Sequence, residues 1–435
     1  MPDEKIGTLV IGGGQAGLVM SHQLKQRGLS HLVLERHRIA ERWRSERWDG
    51  LKFQFPNWSV RLPDFPFPHS DPDAFSNTDD IIRYIEAYAG FVSPPIRCGV
   101  AVTRLSQRDG TGFLAETTDG TIAADNVVVA TGPYQRNLVP DLLRDHPVFQ
   151  VHAADYKNPG QLPPGAVLVA GAGASGAQIA EELLQAGRRV YLSVGRHRRL
   201  PRRYRGRDLI WWLADMQLDQ VTPEERGPAR LGPVISGAYG GRTIDFRSFA
   251  ADGMILVGRL EAAHHGVIEI APGLAESMAD GDLVYTTFLD TVDAYVNRRR
   301  MELPEDPDAR ATFAEPPCVT APLTRLDLAA EGISAVIWAT GYGVDFGWID
   351  LAVTDAKGEA VHRNGISPVP GLYFLGLQWL SKMNSSFLSG VGDDAAVLAD
   401  HIWRGGEISP GPMDPGTAAH HAASGERNPQ KSADM

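Results

Sequence analysis

The chain has only two cysteines in 435 residues, Cys98 and Cys318, and they lie far apart in sequence. This excludes a CxxC redox pair and is typical of a reducing compartment. No apolar run approaches the roughly 18 residues of a membrane span. The start, Met-Pro-Asp-Glu-Lys, lacks the basic-then-apolar pattern of a signal peptide. The net charge of −11 argues against nucleic acid as a partner. We therefore expect a cytoplasmic protein without a membrane span.

The sequence also lacks the motifs of hydrolytic and metal-dependent catalysis. It contains no H-E-x-x-H, no G-x-S-x-G and no Cys/His set with zinc spacing. His264 and His265 are adjacent, but we predict no metal site there. No acid or base is marked as catalytic by its sequence context, which favours chemistry carried by an organic cofactor.

Two glycine-rich loops, 159 positions apart, are the most informative feature present. Each reads GxGxxG between an apolar run and a helical pattern, the context in which the motif predicts dinucleotide binding. Such glycines let backbone N–H groups approach a pyrophosphate at a helix N-terminus. We therefore predict an α/β fold with two dinucleotide-binding, Rossmann-like domains. The predicted binding residues are Gly12, Gly14, Gln15, Ala16 and Gly17 in the first loop and Gly171, Gly173, Ala174, Ser175 and Gly176 in the second.

The residue at the end of the next strand indicates which dinucleotide each loop holds. After the first loop, that strand ends at Glu35, and an acid there suits the hydroxyls of an unphosphorylated ribose. FAD or NAD fits this position and NADP does not. After the second loop, the strand ends at Arg196 with no acid, and a guanidinium suits a 2′-phosphate. Seven arginines fall between Arg196 and Arg207. We interpret most of them as a solvated basic face and Arg196 as a contact to NADPH.

Two Ala-Thr-Gly turns, each after an apolar strand, mark the places where the domains exchange chains. They contain Thr131 and Gly132 in the first copy and Thr340, Gly341 and Tyr342 in the second. We predict an NADPH domain inserted into a discontinuous FAD domain. The predicted ranges are 1–156 for the first part of the FAD domain, 157–330 for the NADPH domain with an insertion at about 205–330, 331–407 for the second part of the FAD domain, and 408–435 for a disordered tail.

These features occur in a specific order with three further segments. They are Glu41-Arg42-Trp43 with Trp48-Asp49-Gly50-Leu51, then Leu62 to Pro68, and Gly390 to Ala395. Over about residues 6–405 the chain resembles the flavin-containing monooxygenases, which are class B flavoprotein monooxygenases. The resemblance extends to the plant auxin-forming monooxygenases and to bacterial flavoproteins associated with cation-diffusion transporters.

The resemblance implies an oxidoreductase that keeps FAD bound throughout turnover and uses NADPH and O2. One oxygen atom would pass to a small organic substrate through a flavin C4a-hydroperoxide. Trp43 would pack beside the flavin, and Asp394 would open a helix that points at its pyrimidine ring. The other residues that the resemblance implies at the cofactors, besides the loops and turns, are Arg36, Arg42, His152, Tyr156 and Ser193.

Two departures from the family pattern affect the predicted site. In the signature FxGxxxHxxx(Y/F), His152 and Tyr156 match, but His146 and Val148 replace its Phe and Gly. Tyr156 stands where Baeyer–Villiger enzymes usually carry Trp, which disfavours ketone oxygenation. Gln54 takes the place of an Asn that in many members holds the flavin–oxygen adduct and the nicotinamide. We predict Gln54 as the catalytic carboxamide.

The leading interpretation is oxygenation of an amine nitrogen or a sulfide. The alternatives left open are oxidative decarboxylation of a 2-oxo acid, Baeyer–Villiger oxidation, an NADPH oxidase or flavin reductase, and a non-enzymatic NADPH or redox sensor. A disulfide reductase is disfavoured by the two distant cysteines. We expect residues 205–330 to form part of the substrate pocket. The substrate and the oligomeric state are not specified by the sequence, and a homodimer is left open.

Overall fold

The computed structural model describes residues 3–108, 111–226 and 232–405 of the chain. Its strands are β1 (Glu4–Ile11), β2 (His31–Glu35), β3 (Arg61–Leu62), β4 (Phe65–Pro66), β5 (Ile96–Cys98), β6 (Val102–Gln107), β7 (Phe113–Thr117), β8 (Gly120–Val129), β9 (Arg136–Asn137), β10 (Phe149–His152), β11 (Ala166–Ala170), β12 (Val190–Ser193), β13 (Arg198–Arg199), β14 (Arg203–Tyr204), β15 (Arg207–Asp208), β16 (Pro233–Val234), β17 (Ile255–Val257), β18 (Leu260–His264), β19 (Val267–Ile270), β20 (Arg325–Asp327), β21 (Ile333–Trp338), β22 (Tyr342–Gly343) and β23 (Leu372–Phe374).

The helices connect these strands and cover the sheets. They are α1 (Gln15–Gln26), α2 (Glu41–Ser45), α3 (Thr78–Val92), α4 (Ala174–Gln185), α5 (Leu209–Asp215), α6 (Pro223–Arg226), α7 (Phe246–Ala251), α8 (Leu274–Arg299), α9 (Pro317–Thr320) and α10 (Val391–Trp403). Among these described elements none is long and apolar enough to span a bilayer.

The first sheet has the strand order β5-β2-β1-β8-β7-β6. Strand β1 lies between β2 and β8 and is parallel to both. Strand β23 pairs in parallel with the last three residues of β8, next to the antiparallel β7. Leu9, Val10, Val127 and Val128 are fully buried. Their continuous apolar runs are typical of parallel strands covered on both faces.

The second sheet has the order β10-β21-β11-β12-β17, and every neighbouring pair is parallel. Its central residues Val167, Leu168, Val336 and Ile337 are fully buried. Each sheet thus contains one β-loop-α-β unit with a glycine-rich loop, β1-α1-β2 in the first and β11-α4-β12 in the second. Strand β23 follows all five strands of the second sheet in the chain, yet it pairs with β8 in the first sheet. The second unit is therefore inserted into the first, and the predicted fold class is confirmed.

The domain boundaries predicted from sequence differ from the observed strand pairing. Residues 149–152 and 333–338 were assigned to the FAD domain, but β10 and β21 pair with each other and with β11 in the second sheet. Strand β17, within the predicted insertion, is the fifth strand of the same sheet. A long parallel strand such as β21 is recognisable from its apolar run, but its neighbours are chosen by tertiary packing. The predicted tail, 408–435, lies outside the described residues.

Candidate functional site

In the first glycine-rich loop, Gly12 and Gly17 pack tightly against backbone atoms, whereas Gly14 faces open space. Gly12 has φ +113°, and a Cβ there would meet the Ala130 carbonyl oxygen at 2.5 Å. A Cβ on Gly17 would lie 1.8 Å from the Gly12 oxygen. By contrast, a Cβ on Gly14 would have no protein atom within 4 Å. Gly14 caps α1 without a side-chain hydrogen bond, so the helix N-terminus faces open space, as a pyrophosphate requires.

The second loop repeats this geometry. Gly171 has φ +106°, and its Cβ would meet the Ala339 oxygen at 2.6 Å. A Cβ on Gly176 would lie 1.8 Å from the Gly171 oxygen, and one on Gly173 would again be free of contacts within 4 Å. In both units, therefore, the alanine of an Ala-Thr-Gly turn packs against the first glycine of the loop. This fits two dinucleotides, with each turn beside one of them.

Glu35 lies at the end of β2 beside the first loop, as predicted. Its Oε2 accepts a hydrogen bond from the Gly13 N–H at 2.7 Å, and its Oε1 accepts one from the His37 N–H at 2.9 Å. The carboxylate is half-buried, while the next residue, Arg36, is exposed. An acceptor at this position fits the ribose hydroxyls of an adenosine.

Arg196 lies exposed just beyond the end of β12, where the ribose of the second dinucleotide is expected. No hydrogen bond or ion pair joins its side chain to the described part of the chain, so the guanidinium is available to a phosphate. Ser193 is different. Its side chain is buried, and its hydroxyl donates to the Gly258 oxygen at 3.0 Å. The Ser193 hydroxyl therefore stabilises the fold and does not face the space where a cofactor is expected.

Three of the arginines that follow Arg196 form ion pairs inside the fold, so the interpretation as a solvated basic face was wrong for them. Arg199 pairs with Asp245 at 2.6 Å and Asp282 at 2.7 Å. Arg202 pairs with Asp208, and Arg205 pairs with Asp293 at 2.6 Å. These ion pairs join the arginine-rich segment to α7 and α8. Their acidic partners are distant in sequence except Asp208, so the local pattern did not reveal them.

His152 joins the ends of two strands of the second sheet. Its Nδ1 accepts from the Ala154 N–H at 3.1 Å, so Nε2 carries the proton and donates to the Gly341 oxygen, also 3.1 Å away. The Tyr342 ring meets the imidazole edge-on at 5.0 Å. Burial lowers the pKa of His152, so the ring is neutral near pH 7. His152 thus fixes the second Ala-Thr-Gly turn, while the Thr340 hydroxyl donates to the Leu138 oxygen.

Tyr156 is completely buried in the second core. Its hydroxyl donates to Glu182 Oε2 at 2.8 Å, and burial raises the pKa of that carboxyl. Gly50 approaches the same carboxyl so closely that a Cβ would lie 2.0 Å from Glu182 Oε1. Tyr156 therefore anchors the segment around Gly50 to α4 through Glu182.

Aromatic side chains line the junction between the two sheets. Trp43 meets Phe53 edge-on with ring centroids 5.5 Å apart, and Tyr134 meets Tyr342 at 5.1 Å. Arg42 is held beside them by Glu46 and by the Tyr134 carbonyl oxygen. Tyr134 lies two residues after Gly132, so this junction brings α2 to both Ala-Thr-Gly turns.

Gln54 lies half-buried on the extended segment next to this junction. Its carboxamide has no hydrogen-bond partner within the described ranges. Its backbone oxygen accepts from Arg202 Nη1 at 2.7 Å. Arg202 is 1% exposed, forms a two-pronged pair with Asp208 and lies 4.4 Å from the centre of the Phe75 ring. Sequence reasoning missed Arg202, because its role depends on a contact 148 positions away.

The N-terminus of α10 meets the first loop. Gln15 Nε2 donates to the Ser386 oxygen at 2.8 Å, and Asp394 accepts from the Ser381 hydroxyl. Burial raises the pKa of Asp394, and its Oδ2 has no hydrogen-bond partner among the described residues. A buried acceptor oxygen without a protein partner fits a ligand N–H group, such as the one on the pyrimidine ring of a flavin. Thr131 Oγ1 accepts from Gln135 Nε2 at 2.9 Å and so stabilises its turn.

The described residues contain no group of three or more His, Cys, Asp or Glu side chains arranged to hold a metal ion. The described residues that could hold a ligand include the two open loops, the acceptors Glu35 and Asp394, the donor Arg196 and the Gln54 carboxamide. These fit two dinucleotides, one of them a flavin.

Comparisons with known proteins identify relatives of the chain. Residues 9–214 match the family model described as pyridine nucleotide-disulphide oxidoreductase. An uncharacterized CzcO-like oxidoreductase of Geobacillus kaustophilus is 34% identical over 403 residues, covering 91% of this chain and 98% of that protein. The indole-3-pyruvate monooxygenase YUCCA1 of Oryza sativa is 31% identical over 193 residues, 43% of this chain and 47% of that protein.

Solved structures show the same fold. A flavin-containing monooxygenase from Stenotrophomonas maltophilia is 20% identical with a TM-score of 0.57, covering 92% of this chain and 98% of that one. The bacillithiol disulfide reductase of Staphylococcus aureus is 14% identical with a TM-score of 0.59, covering 93% and 100%. Its 34% identity over 91% of its length shows that the chain belongs to the family of CzcO-like oxidoreductases. This match, the family model and the other relatives together fit the flavin-containing monooxygenases, with FAD and NADPH as cofactors.

Proposed function

We propose that the chain is an NADPH-dependent monooxygenase that transfers one oxygen atom of O2 to an amine nitrogen or a sulfide sulfur. The observation that carries this proposal is the pair of open glycine loops, whose Ala-Thr-Gly turns converge on one junction lined by aromatic rings and the unpartnered Gln54 carboxamide. Bound FAD supplies the redox chemistry there, since it accepts two electrons from NADPH and then reacts with O2.

In this proposal the first loop holds FAD and the second holds NADPH. Gly14 and Gly173 leave space for the two pyrophosphates. Glu35 accepts hydrogen bonds from the ribose hydroxyls of FAD, and Arg196 donates hydrogen bonds to the 2′-phosphate of NADPH. The domain ranges are then 3–148 and 342–405 for the FAD unit and 149–341 for the NADPH unit, in line with the sheet to which each strand belongs.

The residues at the junction have distinct tasks. Gln54 offers a hydrogen-bond donor and acceptor to the reacting part of the bound cofactors, and Arg202 fixes the backbone of Gln54. Trp43 and Phe53 reduce the access of water, which strengthens every hydrogen bond in the site. The neutral His152 holds the second turn in place without adding a charge.

The positions of the cysteines favour oxygenation over disulfide reduction. Cys98 lies exposed at the end of β5, opposite Glu35, whereas Cys318 packs in α9 against the second core. Burial and the charge of Glu35 raise the pKa of the Cys98 thiol, so the reactive thiolate is disfavoured. The two thiols belong to different units and are separated by 220 positions.

Oxidative decarboxylation of a 2-oxo acid is the second candidate. It is favoured by the 31% identity to an indole-3-pyruvate monooxygenase over 193 residues. That similarity covers less than half of each protein. We keep N- or S-oxygenation as the main proposal.

The test measures NADPH consumption, H2O2 release and product for matched panels of amines, sulfides, ketones and aryl 2-oxo acids. We expect an amine or a sulfide to give product with little H2O2. Gln54→Leu removes the donor and acceptor at similar size, and a lost hydrogen bond in a water-poor site costs about 1–3 kcal/mol. The variant should release more H2O2 per NADPH, while the exposed control Gln107→Leu should behave as wild type. Equal coupling in both variants would remove Gln54 from the site.

A further inference from the structure

Arg47 lies half-buried just beyond α2, between two aromatic rings of the junction. Its guanidinium carbon is 5.1 Å from the centre of the Trp43 ring and 6.0 Å from that of Tyr134. The Tyr134 ring in turn meets the Tyr342 ring at 5.1 Å. Arg47 therefore belongs to the place where α2 meets both Ala-Thr-Gly turns.

Most of the hydrogen-bonding capacity of Arg47 is unused. A guanidinium has five N–H donors, and among residues 3–108, 111–226 and 232–405 Arg47 makes a single side-chain hydrogen bond, from Nη1 to the Glu46 backbone oxygen at 2.8 Å. No carboxylate within the described segments forms an ion pair with it. Stacking engages the flat face of the guanidinium, so the in-plane N–H edge stays free to bind oxygen atoms.

The neighbouring cations are already satisfied. Arg42 pairs with Glu46 and donates to the Tyr134 oxygen. Lys157 Nζ donates to the Ser45 and Arg47 backbone oxygens. Burial, together with repulsion from Arg36 and Arg47, lowers the pKa of the half-buried Arg42. Unlike Arg42 and Lys157, Arg47 keeps most of its N–H donors unused within the described part of the chain.

We propose that Arg47 binds an anionic oxygen group at this junction, either a carboxylate of the substrate or a phosphate of the coenzyme. The planar fork of arginine matches the two oxygens of either group. Trp43 and Tyr134 fix the plane of the fork in advance, which reduces the entropy lost on binding. The proposal rests on the proposed function for the identity of the site, but anion binding itself requires no turnover.

The experiment uses the full chain loaded with FAD and two kinds of probe. Benzoate and its neutral analogue benzamide are titrated while the flavin absorption spectrum is followed, and NADP+ is titrated separately. The variants are Arg47→Gln, Arg47→Lys and the control Arg38→Gln, which removes an exposed arginine paired with Glu41 on the same segment. FAD content and melting temperature are recorded for each protein.

If the anion is a substrate carboxylate, wild type should bind benzoate at least about tenfold more tightly than benzamide, and Arg47→Gln should abolish that preference. If it is a coenzyme phosphate, Arg47→Gln should weaken NADP+ binding by about tenfold or more and leave benzoate unchanged. Arg47→Lys keeps the positive charge but lacks the planar guanidinium. It should therefore lose less affinity than Arg47→Gln for whichever of the two ligands Arg47 binds. The Arg38→Gln control should match wild type in both.

The proposal would be overturned if Arg47→Gln bound both benzoate and NADP+ as tightly as the wild type. If Arg47→Gln fails to retain FAD, Arg47→Lys is used in its place. Wild-type affinities of Arg47→Lys for benzoate and NADP+ would then also overturn the proposal. A protein that binds benzoate through Arg47 yet oxygenates no substrate would keep this inference and reject the proposed function, so the two failures are distinguishable.

Discussion

Gly14 and Gly173 are equivalent residues in the two loops, and each faces open space. A valine at either position meets no protein atom within 4 Å of its Cβ, so its effect should fall on the ligand and not on the fold. We predict that Gly14→Val folds but is purified colourless, whereas Gly173→Val is yellow and no longer reduced by NADPH. Flavin absorbance and anaerobic reduction by NADPH measure the two outcomes.

Gly17 provides the contrasting control, since its Cβ would collide with the Gly12 oxygen at 1.8 Å. Gly17→Val should therefore lose the fold together with the flavin, as circular dichroism would show. Full FAD content in Gly14→Val would mean that the first loop does not hold FAD. A colourless Gly173→Val would mean that the loops are assigned the wrong way round.

Arg196 is the residue expected to select NADPH. Hydrogen bonds to charged groups contribute about 1.5–3 kcal/mol, which corresponds to a roughly 10- to 100-fold preference for NADPH over NADH in kcat/KM. Arg196→Ala should raise KM for NADPH and leave the NADH kinetics nearly unchanged. Steady-state kinetics with both coenzymes give the answer.

Arg207→Ala is the matched control, because Arg207 is an exposed arginine of the same segment whose guanidinium stacks on Trp211. It should leave the coenzyme preference intact. Equal use of NADPH and NADH by the wild type would be incompatible with the role given to Arg196.

At the scale of elements, Arg202 joins the arginine-rich segment of the second unit to the segment that carries Gln54. The Arg202 and Asp208 side chains are 2% and 9% exposed and lie 2.9 Å apart. Removing one partner of a buried pair typically costs about 3–5 kcal/mol, because the other charge is left uncompensated. Arg202→Met should lower the free energy of unfolding by about that amount, measured by urea denaturation.

The double variant Arg202→Met/Asp208→Leu distinguishes the effect of the ion pair on stability from the effect of the hydrogen bond to the Gln54 oxygen. It removes the Asp208 carboxylate that Arg202→Met leaves buried without a partner. It should therefore recover part of the free energy of unfolding that Arg202→Met loses. It should still release excess H2O2 during turnover, because the hydrogen bond to the Gln54 oxygen stays broken. An Arg202→Met protein as stable as wild type would show that the pair does not hold these elements together.

His152 links β10 to the turn after β21 and makes this contact sensitive to pH. Its pKa is lowered in the folded chain, while the unfolded value is about 6.5. Below pH 6.5 the unfolded chain therefore binds more protons, so stability present above about pH 6.5 is lost as pH falls towards the lowered pKa. We predict that His152→Gln has a weaker decline in unfolding free energy than wild type between about pH 7.5 and 5.5.

The same substitution at the exposed His37 serves as the control and should leave the pH dependence of wild type unaltered. The measurement is a series of urea titrations at fixed ionic strength. An identical slope for wild type and His152→Gln would show that His152 does not couple protonation to folding.

At the scale of the whole molecule, the fold was largely predictable because its signals are local. The apolar runs that end at Ile11 and Ala170, and the glycines that follow them, identify two β-loop-α-β units without reference to the rest of the chain. The assignment of β10 and β21 failed because parallel neighbours are chosen by packing between distant segments. The role of Arg202 was missed for the same reason, since its partners at Gln54 and Phe75 carry no local sign of the contact.

The central claim is that this two-dinucleotide molecule couples NADPH oxidation to insertion of one oxygen atom. The most direct test supplies ¹⁸O2 with NADPH and the best amine or sulfide from the substrate panel, then determines product mass and NADPH consumed. The account predicts one ¹⁸O atom per product molecule, product equal to most of the NADPH consumed, and little H2O2. Recovery of all the NADPH electrons as H2O2 with every substrate, and no labelled product, would contradict it.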